Sequence, residues 1–197
     1  MSLIIPPVVI SGTRWDYDRT LIFGVVNVTP DSFSDGGSFW DDGHLNVAAA
    51  VAQGEALVAA GADALDIGGE STRPRSTPVS GDDERRRVLP VIEGLFARVD
   101  VPISIDTYKA DVARDAVAAG ATIINDVSGG SLDEDLYAVA AESGALLILG
   151  HLRGAPASMM DAITFHDVVQ EVEDELRGRI RRAVEAGVRP DRLWIDP

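Results

Sequence analysis

The sequence predicts an α/β fold in which helices cover a parallel β-sheet. Short apolar runs alternate with longer segments of helical spacing, and this order repeats five times before a sixth apolar run. The apolar runs barely alternate in polarity, which is typical of strands that are buried on both faces. We therefore expect six strands, at residues 21–28, 64–67, 103–105, 123–124, 145–149 and 193–195.

The segments between these runs predict five helices, most of which end at a glycine that can adopt a left-handed cap. The clearest helix covers residues 165–186, where apolar residues recur four apart and acids and arginines occupy the opposite face. Thr164 is expected to cap its start, and Gly187 is expected to close its end. The predicted helices cover residues 46–60, 82–98, 110–119, 133–143 and 165–186.

Polar residues at the strand ends distinguish a (β/α)8 barrel from an open doubly wound sheet. Each of the six predicted strands carries one at or near its carboxyl end, namely Asn27, Asp66, Asp106, Asn125, His151 and Asp196. In a barrel these ends converge on one mouth, where active sites are built. An open sheet uses only the strand ends beside its switch point. We therefore predict a (β/α)8 TIM barrel, of which this chain covers about six βα units.

The length of the chain is short for that fold. A complete barrel needs about 250 residues, whereas the chain has 197. We expect residues 1–197 to form a single domain that is incomplete at its C-terminal end and inactive on its own, because strand edges would stay unpaired. Residues 1–20 precede the first predicted strand and are expected to form a hairpin segment that covers the bottom of the barrel.

The composition argues against several classes of function. There are 17 basic and 32 acidic residues, which gives a net charge of −15. Such an acidic surface repels phosphate backbones, so no nucleic-acid partner is expected. No apolar run approaches the roughly 20 residues of a membrane span, so no membrane partner is expected either. The chain has no cysteine, which excludes a thiolate nucleophile and favours a cytoplasmic location.

Two long loops carry residues suited to charged ligands. The segment after the first strand contains Asp31, Phe33 and Asp35, and Asn27 precedes it with a carboxamide oxygen of the kind that suits Mg²⁺. The segment after the second strand contains Arg73 and the neighbouring Arg75, whose planar guanidinium groups match phosphate. We expect an anionic ligand, although a solvated polar loop and solvated arginines are the alternative interpretations. His151 and Arg153, after the fifth strand, could also meet a phosphate.

Asp106 and Asn125 lie one short βα unit apart, and so at the same level on adjacent strands. A carboxylate accepts two parallel hydrogen bonds from an amino group and a ring N–H, and a carboxamide offers one donor group and one acceptor. Together they suit a flat heterocycle with a guanidine-like edge, such as a pterin or a guanine. An arginine could also satisfy the carboxylate, so the spacing alone leaves both partners open. Asp196 ends the sixth strand.

Two long motifs resemble signatures of the dihydropteroate synthase family. They are GVVNVTPDSFSDGG at residues 24–37 and DIGGESTRP at residues 66–74. Three shorter matches follow in the same order: SIDT at 104–107, INDVSG at 124–129 and WIDP at 194–197. The family joins 6-hydroxymethyl-7,8-dihydropterin diphosphate to 4-aminobenzoate, giving 7,8-dihydropteroate and pyrophosphate, and it requires Mg²⁺. The resemblance implies the same small-molecule substrates and cofactor here, and a homodimer for the full-length protein.

The resemblance also implies roles for individual residues. It assigns Mg²⁺ to Asn27 and the pterin to Asp106, Asn125 and Asp196. The two long loops would close over the site and form the aminobenzoate pocket. Their catalytic residues would be Asp31, Asp35 and Arg73, and their substrate-binding residues Phe33, Thr72, Arg73 and Pro74.

Some positions depart from the family pattern. Arg75 stands where the family usually has glycine, and Gly150-His151-Leu152 replaces a usual Met-His-Met. The family also continues beyond Asp-Pro to a strand with a lysine and then to an arginine–histidine pair. These departures motivate a non-catalytic pterin-binding paralogue as an alternative. The pterin-binding domain of a methyltetrahydrofolate–corrinoid methyltransferase is a further alternative of similar fold, but those domains lack the first signature.

Overall fold

The computed structural model describes residues 7–30, 39–41, 44–71, 77–154 and 163–197. The described chain begins with two short strands, β1 (Val8–Ile10) and β2 (Thr13–Trp15), which pair in antiparallel fashion. The later elements are β3 (Phe23–Asn27), β4 (Trp40–Asp41), β5 (His44–Leu45), α1 (Val47–Ala59), β6 (Ala64–Gly68), α2 (Gly81–Phe96), β7 (Ile103–Asp106), α3 (Ala110–Ala118), β8 (Ile123–Asp126), α4 (Asp135–Ser143), β9 (Leu146–Gly150), α5 (Val168–Glu185) and β10 (Leu193–Asp196).

Within these described ranges, six strands form one parallel sheet in the order β3-β6-β7-β8-β9-β10. The strand order therefore follows the chain without reversal, unlike the order of a doubly wound sheet, which reverses at its switch point. Phe23 and Trp194 lie on the two edge strands, yet their ring centroids are only 6.5 Å apart. The sheet must curl to bring them together. The predicted α/β fold, a TIM barrel represented here in part, is confirmed.

The two faces of the curled sheet build two separate apolar cores. One face packs under the helices, and its core includes Val26, Ile67, Ile105, Ile124 and Leu147. The other face lies inside the barrel. Near the amino ends of the strands it carries Ala64, Ile123 and Leu146, which pack with residues of the β1–β2 pair. Since helices cover only the outer face, the inner face is free to present polar groups at its carboxyl end.

The β1–β2 pair covers the bottom of the barrel through aromatic contacts. Trp15 is 3% exposed, and its ring centroid lies 6.0 Å from that of Phe23 and 5.5 Å from that of Trp194. These contacts join the start of the chain to the first and sixth parallel strands. The bottom is therefore filled by large side chains, which leaves the opposite, carboxyl end for ligands.

Helix α5 begins later than the sequence predicts, and the expected cap at Thr164 is wrong. Asp167 is the N-cap, and its side chain accepts a hydrogen bond from the backbone N–H of Gln170. The carbonyl of Thr164 instead accepts a hydrogen bond of 2.8 Å from Arg153 Nη1. Asp and Thr are both good N-caps, with Asp somewhat better, so local propensity alone favours the later start. At the other end, Gly187 adopts φ +102°, as a closing glycine does.

In the parts of the chain that the structure covers, no helix combines the length and the apolar character that crossing a bilayer requires.

Candidate functional site

The strand register brings three of the predicted strand-end residues into one row at the carboxyl end of the sheet. Asn27 of β3 pairs with Gly68 of β6, Gly68 pairs with Asp106 of β7, and Asp106 pairs with Asn125 of β8. Side chains in one row of a parallel sheet share a face. Asn27, Asp106 and Asn125 therefore line one polar strip inside the barrel mouth.

Gly68 leaves an opening in this strip. A Cβ atom at this position would lie 2.9 Å from Asn27 Oδ1 and 3.5 Å from Asp106 Oδ2. The two oxygen atoms therefore flank the space above Gly68, which any larger residue would fill. Glycine here permits a ligand or an ion to reach both oxygens.

Asp66 extends the polar strip one step deeper into the barrel. It lies two residues before Gly68 on β6, hence on the same face, and pairs in the register with Ser104. Its Oδ2 accepts a hydrogen bond of 3.1 Å from Asn125 Nδ2. Its Oδ1 is buried and has no hydrogen-bond partner within the described residues. Asp66 is one of the predicted strand-end residues, and the resemblance assigns it no role.

The two carboxylates of the strip resist ionisation. Burial, followed by the negative charge of Asp66, raises the pKa of Asp106 well above its usual value, and Glu84, Asp126 and Glu70 add to the effect. Burial also raises the pKa of Asp66, against the opposing effect of polar contacts with Ser104 and Asn125. Buried acids with shifted pKa values that face a cleft are typical of functional sites. A ligand that donates N–H groups would relieve the cost of ionising them.

Asp196 lies on the same face, nearer to the rim of the barrel. Trp194 of β10 pairs with Ile148 of β9, which itself pairs with Asn125, and Asp196 follows Trp194 by two residues. The side chain of Asp196 is exposed, and its carbonyl accepts a hydrogen bond of 3.1 Å from the N–H of His151. Asp196 is therefore placed across the mouth from Asn27, with Asp106 and Asn125 between them.

The predicted loop residues lie outside the described residues. This applies to all the loop positions to which the resemblance assigns a role, namely Asp31, Phe33, Asp35, Thr72, Arg73 and Pro74. The departure at Arg75 falls in the same undescribed segment. The structure describes the frame of these loops, that is, the residues from which each loop starts and to which it returns.

A buried ion cluster forms part of that frame and was missed by the sequence reasoning. The ammonium group of Lys109 forms ion pairs with Glu70 and Glu84, whose side chains are 4% and 1% exposed. The hydroxyl of Tyr108 donates to Glu70 Oε1 at 2.7 Å, and the N–H of Val79 donates to Glu70 Oε2 at 3.3 Å. Glu70 thus links the two ends of the segment that contains Arg73. The one available signal was that Lys109 is the only lysine in the sequence.

His151 and Arg153 do not stand free to meet a phosphate. His151 Nε2 lies 2.9 Å from Glu175 Oε2, and Arg153 Nε donates to Glu175 Oε1 at 2.9 Å. Arg153 also pairs with Glu171 at 2.6 Å. Hydrogen bonding from Arg153 is the main cause that lowers the pKa of Glu175. The acidic face of α5 therefore already binds both side chains, whereas the sequence suggests that they could meet a phosphate.

By themselves, the side chains of the polar strip provide few ligands for a metal ion. In the described ranges, no group of three or more His, Cys, Asp or Glu side chains is arranged to hold one. The carboxamide oxygen of Asn27 and the neighbouring Asp106 Oδ2 are hard oxygen donors that flank the space above Gly68. Mg²⁺ commonly uses one or two protein oxygens together with water and ligand phosphates. These residues therefore fit Mg²⁺ only in company with a phosphorylated ligand.

Comparison with known proteins agrees with this geometry. A family model described as pterin binding enzyme matches residues 23–197, so the chain belongs to the pterin-binding enzyme family. It is 40% identical over 193 residues to the dihydropteroate synthase of Synechocystis sp., a match that covers 98% of this chain and 65% of that protein. The resemblance to dihydropteroate synthases that the motifs indicate is confirmed.

Solved structures agree with the sequence relatives. The dihydropteroate synthase of Xanthomonas albilineans with 4-aminobenzoic acid superposes with a TM-score of 0.84 at 46% identity, covering 98% of this chain and 66% of that one. The Xanthomonas albilineans enzyme in complex with 7,8-dihydropteroate gives a TM-score of 0.80 at 43% identity, covering 98% and 65%. The chain thus spans about two thirds of the length of the relatives that it matches.

Proposed function

We propose that this chain is the pterin-binding part of a dihydropteroate synthase of folate biosynthesis. The reaction would join 6-hydroxymethyl-7,8-dihydropterin diphosphate to 4-aminobenzoate and release pyrophosphate. The observation that carries the proposal is the pairing of Asp106 with Asn125 at the barrel mouth, beside the opening at Gly68. The relatives crystallised with 4-aminobenzoic acid and with 7,8-dihydropteroate support it.

Asp106 and Asn125 would bind and orient the pterin ring. An ionised Asp106 accepts two parallel N–H bonds from the amino group and the adjacent ring nitrogen, and Asn125 complements the same edge. The raised pKa of Asp106 means that its ionisation is costly in the empty site and becomes favourable once these donors arrive. Asp196, nearer to the rim, would contact the part of the ring that faces the mouth.

Asn27 would hold the metal. When bound there with the diphosphate of the substrate, Mg²⁺ would neutralise the negative charge that collects on the leaving group. Asn27 contributes a neutral oxygen, and it stands next to the opening at Gly68 through which the diphosphate would approach. The nearby Asp106 then remains available to bind the pterin ring.

The loop residues keep the roles that the resemblance gives them as part of this proposal. Asp31, Asp35 and Arg73 would take part in catalysis, and Phe33, Thr72 and Pro74 would line the aminobenzoate pocket. Departure of the diphosphate leaves a pterin-stabilised cation that the aniline nitrogen attacks, so water must be kept away from it. The full-length protein is proposed to act on small molecules as a homodimer, without nucleic acid.

The test is release of pyrophosphate by the full-length protein with both substrates and Mg²⁺, compared with reactions from which each component is omitted. We expect release only when both substrates are present. Release that continues without 4-aminobenzoate would indicate hydrolysis and contradict the proposed synthase. Formation of 7,8-dihydropteroate in equal amount to pyrophosphate is measured in the same samples.

A non-catalytic pterin-binding protein is a second candidate. It is favoured by one observation, the pairing of His151 and Arg153 with Glu175, because that pairing occupies side chains that could otherwise receive a diphosphate. Calorimetry with the pterin diphosphate separates the two candidates. Tight binding without any turnover supports the second, and turnover excludes it.

A further inference from the structure

We propose that Asp66 determines the specificity of the site by fixing the orientation of the Asn125 carboxamide. By accepting a hydrogen bond from Asn125 Nδ2, Asp66 turns Asn125 Oδ1 away from itself and toward the ligand. Asn125 then meets the ligand as a hydrogen-bond acceptor beside the acceptor Asp106. This assignment rests on the proposed function, because it concerns which heterocycle the same site selects.

The position of Asp66 suits this role. Asp66 is on β6 and Asn125 on β8, and β7 lies between them with Ser104 paired to Asp66 and Asp106 paired to Asn125. Asp66 thus stands one step deeper in the barrel than Asn125. The hydrogen bond of 3.1 Å between Asp66 Oδ2 and Asn125 Nδ2 therefore points the amino group of the amide inward. The oxygen of a carboxamide diverges from its amino group, so Asn125 Oδ1 is left for a group at the mouth.

The chemistry of Asp66 makes the orientation selective. Asp66 Oδ2 acts as an acceptor toward Asn125, so it pairs with the amino group of that carboxamide and would repel the carboxamide oxygen. A half-turn of the Asn125 amide would bring two acceptors together in a buried place, where the repulsion is poorly screened. Asparagine at position 66 would lose this selectivity, since its own amino group could donate to Asn125 Oδ1.

The burial of the Asp66 carboxyl group lowers the stability of the fold, which a residue with a purely structural role need not do. Its Oδ1 is buried without a hydrogen-bond partner within the described part of the chain. An unsatisfied buried carboxylate oxygen lowers stability. A threonine or asparagine would fill the space at lower cost, so the carboxyl group has value only if its accepting character is used. Asn125 Nδ2 uses it through the hydrogen bond to Asp66 Oδ2, beside the polar contact with Ser104.

The consequence for the ligand is a row of two acceptors, Asp106 and Asn125 Oδ1. A pterin presents an amino group and a ring N–H on one edge, and these donors satisfy the row. A pteridine-2,4-dione carries an oxygen in place of that amino group, so one acceptor would face another. A polar site built to pair with a donor strongly rejects an analogue that lacks it, because a buried group is left unpaired.

The test compares the affinity of the protein for 6-hydroxymethylpterin and for the corresponding 2,4-dione. Dissociation constants are measured by calorimetry for the wild type, Asp66→Asn and Asp66→Ala. We expect the wild type to prefer the pterin, and we expect the ratio of the two constants to fall by about tenfold or more in Asp66→Asn. Asp66→Ala removes the acceptor without adding a donor, so its ratio should fall less than that of Asp66→Asn.

Asp63→Asn is the matched control. Asp63 precedes the first residue of β6, at the opposite end of the same strand, where it pairs with Arg19. The control makes the same chemical change far from the site and should leave the ratio at its wild-type value. Equal weakening of both ligands in the Asp66 variants, with the ratio kept, would show a merely structural role and overturn the assignment alone. A wild-type protein that binds no pterin would overturn the proposed function and this assignment with it.

Discussion

Lys109 and Glu84 form a buried ion pair that joins the residue before helix α3 to the first turns of helix α2. Hydrogen bonds to Glu70 and Glu84 raise the pKa of Lys109, although burial alone would lower it. Burial raises the pKa of Glu84, against the opposing effect of Lys109. The lysine is therefore the counter-charge for two acids that water does not reach.

Replacing Lys109 by methionine should lower the stability of the protein. The change leaves Glu70 and Glu84 buried without a cation, and loss of one partner of a buried pair costs about 3–5 kcal/mol. The loss should be full near neutral pH. It should shrink as the pH falls through the raised pKa of Glu84, because a raised carboxyl pKa penalises the folded state only when the acid is ionised.

Urea unfolding at several pH values measures this effect. Arg177→Met is the control, because Arg177 and Glu173 form an exposed i, i+4 pair on α5 that is worth about 0.5 kcal/mol or less. Equal losses in the two variants would contradict the importance of the buried cluster.

Glu171 should contribute to the stability of the fold only at pH values at which its carboxyl group is ionised. Hydrogen bonding from Arg153, followed by the N–H groups of Asp167 and His166, lowers the pKa of Glu171 from 4.5 to about 2. A lowered carboxyl pKa contributes stability that is complete above the unfolded value of 4.5 and disappears as the pH falls to about 2. The wild type should therefore be more stable than Glu171→Gln at pH values above 4.5, and the difference should vanish toward about 2.

Thermal unfolding followed by helical circular dichroism checks this pH range. Glu173→Gln serves for comparison, since Glu173 contacts Arg177 on the exposed face of the same helix. A stability difference for Glu171→Gln that does not change with pH would argue against the contact with Arg153.

Gly68→Ala should impair ligand and metal binding while the fold persists. The new methyl group would lie 2.9 Å from Asn27 Oδ1, and it would have to push that side chain from its place. We expect the concentration of Mg²⁺ needed for half-maximal activity to rise. At Gly178, in the middle of α5, an added Cβ meets nothing closer than Arg182 Nη1 at 3.7 Å. Gly178→Ala should therefore keep activity and raise stability by about 0.5–1 kcal/mol. Normal Mg²⁺ dependence in Gly68→Ala would remove Asn27 from the metal site.

Asp106→Asn should weaken pterin binding about tenfold to a hundredfold, the usual range for loss of a hydrogen bond to a charged group. In the wild type, binding should strengthen as the pH rises through the raised pKa of Asp106, because only the ionised acid accepts both N–H groups. The groups that hold this pKa up besides burial are Asp66, Glu84, Asp126 and Glu70. Fluorescence titration with 6-hydroxymethylpterin measures both effects, with the exposed Asp100→Asn as control. An unchanged affinity in Asp106→Asn would count against the proposed function.

The fold could be predicted because its signals are local. Each parallel strand is a short apolar run buried on both faces, and its polar end residue marks the mouth. Asp106 and Asn125 were predicted to be neighbours from one short βα unit, and the register places them so. These inferences need only the regular geometry of parallel strands.

The rest depends on contacts between distant parts of the chain. Glu70 and Glu84 belong to the β6–α2 unit and Lys109 to the next βα unit, and nothing in the spacing of these residues reveals that they meet. The acids of α5 look like a solvated helix face in the sequence, yet Glu175 turns to His151 and Arg153. Such pairings follow from how helices pack over strand ends, which periodicity alone does not specify.

The contact of Trp15 with Trp194 has a consequence for the order in which the protein is made. A ribosome makes the β1–β2 pair well before β10, although the ring of Trp194 that covers its buried tryptophan comes from that strand, about 180 residues later. Until β10 has been made, the apolar face of the β1–β2 pair lacks part of the surface that covers it. Contacts between residues far apart in the sequence also form slowly. The β1–β2 pair is thus made early relative to the strand that locks it in place, and its apolar side is open to chaperones until that strand arrives.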